Sequence, residues 1–136
     1  MSGIPTGAGT EGLRSVLLNG VSDQTASIIT GVRYHIYTVT SIIIHNAKTS
    51  SSGSGIYVYL LGYDARAGSS QQTIQLFDLP VLGQGETFVW NDKFSFYGCE
   101  NDVTQGTTTT QKLNITGGGS YDLLDITCTY IDQDWS

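Results

Sequence analysis

The sequence predicts an all-β fold, an antiparallel β-sandwich of about eight strands with a jelly-roll or an immunoglobulin-like arrangement. Three observations support this prediction. Branched and aromatic residues occur in short runs, segments rich in Gly and Ser separate those runs, and no long stretch places apolar residues at helical spacing. With 136 residues, the chain has room for one domain with a substantial core.

The strands are predicted in chain order from these runs. Two short strands at 13–19 and 25–30 precede the strongest signal, RYHIYTVTSIIIHN at 33–46, whose branched side chains fit a pleated sheet better than a helix. After the loop AKTSSSGSG, the segment IYVYLLGY at 56–63 predicts the second arm of a long hairpin. The other predicted strands lie at 73–77, 87–90, 93–97, 112–116 and 123–131.

The N-terminal segment differs in composition from the rest of the chain. Residues 1–12, MSGIPTGAGTEG, hold too little apolar surface to fold alone, so they are predicted to form a flexible arm on a single sandwich domain at 13–136. The segment lacks the basic start and apolar stretch of a signal peptide, and no apolar run approaches the ~20 residues of a membrane helix. We therefore expect no membrane partner.

Charge is sparse and acidic. Charged residues make up 13% of the chain, about half of the ~25% typical of soluble domains. Six Lys and Arg stand against twelve Asp and Glu, without a basic run, which excludes nucleic acid as a partner bound through clustered cations. A surface dominated by Thr, Ser, Asn and Gly instead indicates a protein that is assembled with others or works outside the cell.

One segment departs from the alternation expected of a strand with one face in water. Both sides of 56–63 are apolar or aromatic, and the strand at 33–46 behaves similarly, with Ile42 and Ile44 opposite Tyr37, Val39 and Ile43. Either the same chain covers both faces, or one face is a subunit interface, where Tyr gives a large contact area. The interface hypothesis assigns oligomer or partner contacts to Tyr57, Tyr59, Leu61, Tyr63 and Tyr37.

The remaining motifs predict no catalytic residue, metal site or cofactor, and we expect a protein that is not an enzyme. Gly7, Gly9 and Gly12 match GxGxxG, but no strand precedes them and no helix follows. His35 and His45 lie on one strand, about 33 Å apart when extended. Whether Cys99 and Cys128 pair, and whether loop carboxylates bind calcium, stays open.

Several segments in order resemble small virion structural proteins of tailed bacteriophages, over roughly 33–132. These are IIIHN, YVYLLG, LPVLGQGETFVWNDKFSFYG and LNITGGGSYDLLDITCTYID. The recurrent features are a hairpin bearing Asn46, the Gly-Glu-Thr turn at 85–87 and the closing strand at 122–131.

This resemblance implies a β-sandwich subunit of a phage virion, assembled in the host cytoplasm. The commonest such role is a capsid decoration (cement) protein that binds and stabilises the head shell. Its partners would be the major capsid protein or other virion proteins, and it would form a homo-oligomer, preferably a homotrimer. The resemblance also implies that the arm contacts the capsid, through Ile4, Pro5 and Leu13.

Two alternatives stay open from the sequence. The first is a tail, neck or fibre-associated virion protein, which would have the same composition. The second is a carbohydrate-binding adhesin domain, which would stack sugars on aromatic rings beside polar groups. Its candidate rings are Tyr57, Tyr59, Tyr63 and either Trp90 or Trp135.

Overall fold

The computed structural model describes residues 9–21, 25–47, 54–79, 82–99, 109–118 and 124–136. These residues form nine β-strands and no helix. The strands are β1 Thr10–Val21, β2 Thr25–Thr30, β3 His35–Asn46, β4 Ser54–Asp64, β5 Ser69–Leu79, β6 Thr87–Trp90, β7 Phe94–Tyr97, β8 Lys112–Gly118 and β9 Leu124–Asp134. Strand β1 therefore begins inside the segment predicted as an arm.

Two antiparallel sheets make up the sandwich. Sheet A has the order β1-β9-β3, with β6 and β7 both on the far side of β3, and sheet B has the order β2-β8-β4-β5. The pairs are nested, since β1 pairs with β9, β2 with β8, β3 with β6 and β7, and β4 with β5. This nesting is the topology of a jelly roll, so the sandwich prediction is confirmed and its arrangement is defined.

The sixth position of the jelly roll is occupied by two short strands. Strand β6 pairs with Ile42–His45 and β7 pairs with Ile36–Val39. The break between β6 and β7 lies beside a register shift of β3 at Val39/Ser41. The nine strands thus fill the eight positions of a jelly roll.

The predicted hairpin of 33–46 with 56–63 is wrong. Strand β3 pairs with β9, β6 and β7 in sheet A, whereas β4 pairs with β5 and β8 in sheet B. Both strands are rich in apolar residues on one side. When the two strands lie in opposite sheets, these apolar sides face the shared core, which is more favourable than pairing the strands edge to edge. The chain therefore crosses the sandwich between them.

The register shift in β3 also corrects which side chains face inward. Tyr37 and Val39 are buried, and after the shift Ile42 and Ile44 are buried as well. Strict alternation would place the second pair opposite the first, but a bulge adds one residue and restores the apolar side to the core. Tyr37, predicted as an interface residue, is 3% exposed and belongs to the core.

Branched aliphatic side chains from both sheets fill the core. The fully buried set includes Val39, Ile42 and Ile44 from sheet A and Ile56, Val58, Leu113 and Ile115 from sheet B. One open side of the sandwich is closed by aromatic rings, because Phe77 of β5 stacks on Trp90 of β6 with ring centroids 4.5 Å apart. Phe88 packs against the same Phe77 ring at 5.6 Å.

Candidate interaction surfaces

The outer face of sheet A, called face A below, consists of side chains that alternate with the buried ones. The register brings them together from five strands. Its members are Leu13, Ser15 and Leu17 of β1, Thr127, Thr129 and Ile131 of β9, Thr38, Ser41 and Ile43 of β3, Val89 of β6, and Ser95 of β7. These residues, which form the centre of the face, are all uncharged, and Glu11 and Asp125 continue the same side of the sheet at its two ends.

Large apolar side chains on face A are open to solvent. Leu13 is 75% exposed and Leu17 is 74% exposed, both on the outermost strand β1. Val89, on the opposite edge, is 53% exposed. No described residue covers these side chains, so face A leaves three large apolar side chains open.

Charged side chains lie at the two ends of sheet A. At one end the Asp125 carboxylate accepts hydrogen bonds from Asn19 Nδ2 and from the Gly20 amide, both at 3.1 Å. His45 Nδ1 lies 2.7 Å from Thr87 Oγ1 at the same end. Asp125 and His45 lie on the outer side of the sheet, but they are held by their own chain at its margin, beyond the uncharged centre of face A.

The opposite end carries a cluster of ionisable groups. His35 Nδ1 is 2.7 Å from Asp132 Oδ1, and His35 Nε2 is 3.4 Å from Asp134 Oδ1. Arg14 Nε lies 3.6 Å from the other Asp132 oxygen. Hydrogen bonds from Ser136 hold the pKa of Asp134 below its usual range, with a smaller contribution from His35. His35 and His45 are thus engaged with different partners, at opposite ends of β3.

The outer face of sheet B, called face B below, has a different composition. Its outward side chains are Thr25 and Ser27 of β2, Lys112, Asn114 and Thr116 of β8, Tyr57, Tyr59 and Leu61 of β4, and Thr73, Gln75 and Asp78 of β5. Two charges of opposite sign therefore flank a centre of tyrosines and hydroxyl groups.

Tyr59 is tied to its own chain at the centre of face B. Its hydroxyl lies 3.4 Å from Thr25 Oγ1, which is 2.8 Å from Thr116 Oγ1. Burial of the ring tends to raise the pKa of Tyr59, but hydrogen bonds with Thr25, Thr116 and Asn114 outweigh that effect and the pKa is lowered. Asn114 is 5% exposed although it is on the outer face.

The Tyr57 side chain lies along face B, above Gly55 of the same strand. A Cβ atom built on Gly55 would approach the Tyr57 hydroxyl oxygen to 3.1 Å, so the ring extends along β4 over the glycine. Tyr57 remains 40% exposed. Gly55 therefore makes room for a ring that presents one side to solvent.

The structure brings three of the predicted interface residues together and separates the others. Tyr57, Tyr59 and Leu61 share face B. Tyr63 follows them beyond a register shift at Gly62/Asp64, where its amide donates to Gln111 Oε1 at 3.2 Å. Of the predicted arm contacts, Leu13 lies on face A, whereas Ile4 and Pro5 lie outside the described residues.

The aromatic residues of the sugar-binding alternative do not form one platform. Trp90 is stacked on Phe77 at the closed side of the sandwich. Trp135 lies against the backbone of Gly9, whose added Cβ would come within 2.7 Å of the indole. Only Tyr57 and Tyr59 remain together on face B.

Leu17 and Val89 are the functional candidates that the sequence reasoning missed. The segment at 13–18 is apolar on both sides, with Leu13 and Leu17 opposite Val16 and Leu18. The criterion applied to 56–63, apolar residues at both parities of one strand, would have identified β1 as well. Val89 carries no such signal, since it alternates with the half-buried aromatic residues Phe88 and Trp90 in a four-residue strand.

Neither cysteine is a reactive group on the surface. No disulfide joins Cys99 and Cys128, and both side chains are buried. Burial raises the pKa of Cys128 to about 12. Across the described ranges, no three His, Cys, Asp or Glu side chains are grouped so that they could hold a metal ion. Those ranges also contain no helix of the length and hydrophobicity needed to span a membrane.

Comparison with known proteins identifies similar folds at very low identity. No family model and no curated protein matches the sequence. A chain from Bacillus endospore appendages, described as disulfide-linked pili, is 16% identical, with 100% of this chain and 98% of that chain covered and a TM-score of 0.47. A chain from the capsid of Helicobacter pylori bacteriophage KHP30 is 8% identical, with 94% of each chain covered and a TM-score of 0.46.

A third similar structure is a C-terminal family 22 carbohydrate-binding module from Clostridium thermocellum. It is 11% identical, with 93% of this chain and 85% of that chain covered and a TM-score of 0.49. Viral capsids, pili and a sugar-binding module thus occur together among these structures, and similarity at this level assigns no function. The surfaces of the chain itself have to provide the functional evidence.

Proposed function

We propose that this chain is a non-enzymatic structural subunit of a phage virion that binds other protein chains through face A. The observation that carries the proposal is the uncharged outer face of sheet A, where Leu13 and Leu17 are about three-quarters exposed. Protein contacts are depleted of charge at their centre, and isolated soluble domains rarely leave such a face open. Catalysis requires a cleft with converging reactive groups, and a flat sheet face of Thr, Ser and Leu is not of that kind.

The finer proposal is a capsid decoration protein that covers and stabilises a head shell. Three properties support it together with the resemblance of the sequence. The net charge of −6 is unsuited to contact with DNA, the surface is poor in charge, and the jelly roll is a fold that viral capsid proteins use often. The tail, neck or fibre role shares all three properties, so position in the particle needs an experiment.

The test is quantitative mass spectrometry of purified virions from the phage that encodes the chain. The protein is expected among the virion components, and a decoration protein is expected at a copy number comparable to that of the major capsid protein. A copy number of a few per particle would assign it to the tail or neck instead. Absence from purified virions would overturn the proposal.

Face B supports carbohydrate binding as a second candidate. Tyr57 presents a ring to solvent beside the hydroxyl groups of Thr25 and Thr116. Asp78 of β5 lies opposite Tyr57 in the register of β4 with β5. A ring face with nearby hydroxyl and carboxylate groups is typical of a site that binds a sugar. A glycan array would reveal this activity, and loss of the signal in Tyr57→Ala but not in Leu17→Ala would locate it on face B.

A further inference from the structure

The edge of sheet A formed by β1 differs from the other sheet edges. Strand β1 is 12 residues long and runs in unbroken register with β9 from Thr10 to Leu18. It contains no Pro and no Lys, and its register shift is confined to the end, between Leu18 and Val21. Among the described strands only β9 pairs with it, so β1 forms an edge of sheet A within the described part of the chain.

Each of the other edges carries a feature that discourages pairing. The β6 and β7 edge is divided into two four-residue strands by Asn91, Asp92 and Lys93. Strand β2 has six residues with a register shift, and β5 has register shifts against β4 and a positive φ of 56° at Gln71. Short strands, charges and bulges are devices that prevent edge pairing. Strand β1 carries two charges of opposite sign, Glu11 and Arg14, but along its regular part it is neither short nor bulged.

From this contrast we infer that two copies of the chain pair through β1, antiparallel about a two-fold axis at Ser15, to make one continuous sheet. This inference deepens the proposed assembly function and rests on it. The occupant is a second copy because the two exposed leucines of β1, Leu13 and Leu17, are placed symmetrically about Ser15. In that register Leu13 lies opposite Leu17 of the partner subunit, and Ser15 lies opposite Ser15 of the partner subunit.

The charges of β1 are compatible with this register. Glu11 would lie opposite Asn19 of the partner subunit, and Arg14 opposite Val16 of the partner subunit, so no like charges face each other. Arg14 is already near Asp132 of its own chain at 3.6 Å. The four leucines would form an apolar cluster on the shared outer face, covering the most exposed apolar side chains of the molecule.

A pair of this kind closes after two copies. The inference therefore favours a dimer over the homotrimer that the resemblance implies. It also places the two A faces side by side, which doubles the flat uncharged surface available to a larger particle.

The test is cysteine cross-linking of the full chain under mild oxidation. In antiparallel strands, opposite Cα atoms are about 4.5–5.5 Å apart, within the range of roughly 4.4–6.8 Å that a disulfide spans. Ser15→Cys is expected to form a disulfide-linked dimer. Leu13→Cys is the matched control, because four residues of offset separate its copies by about 13 Å. The native cysteines are both buried, so background linkage is expected to be low.

The expected result is at least tenfold more linked dimer for Ser15→Cys than for Leu13→Cys, together with a dimer mass for the unmodified chain in sedimentation equilibrium at micromolar concentration. Equal linkage of both variants would overturn the register. A monomer or trimer mass without Ser15→Cys linkage would overturn the pairing. Incorporation into virions is measured separately, so a monomeric chain found in virions would reject this pairing and leave the proposed function intact.

Discussion

The large side chains of the two outer faces differ in their contacts and in their exposure to solvent. On face B the Tyr59 hydroxyl is bonded within the chain, and its neighbour Asn114 is 5% exposed. On face A the two leucines of β1, Leu13 and Leu17, contact solvent over most of their surface. Tyr59 on face B is therefore held by its own chain, whereas the two leucines of face A are left open by the described residues.

The contrast also shows why aromatic content is a poor guide to the contact face. The hydroxyl group of tyrosine can form a hydrogen bond with a neighbour in its own sheet. A strand rich in Tyr therefore does not need a second molecule to bond these hydroxyl groups. Leucine has no such group, and an exposed Leu on a flat sheet gains free energy only by burial against another surface. The less aromatic face is consequently the stronger interface candidate.

The largest expected effect comes from placing charge on face A. The double variant Leu13→Lys with Leu17→Lys should weaken self-association by about a hundredfold or more, since each buried Leu contributes roughly 1.5–3 kcal/mol and 1.4 kcal/mol is tenfold. The free energy of unfolding of the monomer should change by no more than about 0.5 kcal/mol, as for other exposed substitutions. Sedimentation velocity and urea denaturation measure the two quantities.

The matched control places charge on face B. Thr73 and Gln75 are exposed on β5, and Thr73→Lys with Gln75→Lys adds the same charge to the other face. The sedimentation behaviour of this variant should equal that of the unmodified chain. If it dissociates the oligomer and the face A variant does not, the assignment of the two faces is reversed.

A smaller effect is expected when Tyr59 is truncated. Tyr59→Ala should lower the free energy of unfolding by about 2 kcal/mol, because a half-buried ring and its hydrogen bond are lost together. Tyr59→Phe should cost about 1 kcal/mol, the usual net value of one hydrogen bond. Leu17→Ala in the monomer should cost less than either, and a larger loss for Leu17→Ala would mean that face A is covered by its own chain.

The smallest effect is a dependence on alkaline pH that distinguishes a core tyrosine from a face tyrosine. Burial, with the nearby Asp132 charge, raises the pKa of Tyr37 to about 12, against about 10 in an unfolded chain. The unfolded state thus loses this proton first, so the stability contribution is complete below about pH 10 and is lost as pH rises towards 12. The pKa of Tyr59 is shifted downwards, so its ionisation has the opposite sign.

Urea denaturation between about pH 9 and pH 11 measures this difference, with absorbance at the phenolate band to follow ionisation. Tyr37→Phe should reduce the loss of stability with rising pH and remove the last tyrosine to titrate. Tyr59→Phe should remove one that titrates early. A stability loss of the same steepness in Tyr37→Phe would assign the alkaline effect to other groups, of which Cys128, with its raised pKa, is the first to examine.

Much of the fold follows from local sequence pattern. The strands at 25–30, 87–90 and 112–116 lie where the runs of branched and aromatic residues predict them. The hairpin of 33–46 with 56–63 fails because pattern describes single strands and not their partners. The β1 and β9 partners are more than a hundred residues apart in the chain, as Leu13 with Ile131 illustrates, and no local signal records such a pairing.

The candidate surface, like the fold, could be predicted from the sequence only in part. The low charge of the whole chain and the apolar character of both sides of 56–63 are properties of the sequence alone, and they predict a protein with surface left for partners. Which face carries that surface depends on the bulge in β3 and on the hydroxyl groups that β2 and β8 bring to Tyr59. A one-residue shift reverses the side that every later residue occupies, so Tyr37 could be assigned to the core only from the structure.

The amino-acid order by itself determined that this protein is an all-β domain with few charges and an excess of apolar strand surface, because side-chain branching and alternation act within a few residues. The tertiary structure alone decided that the strands nest as a jelly roll, that Tyr59 of β4 is held by its own sheet, and that β1 is an edge strand among the described strands. Those properties arise from contacts between distant segments, whose free energy depends on which surfaces meet in space.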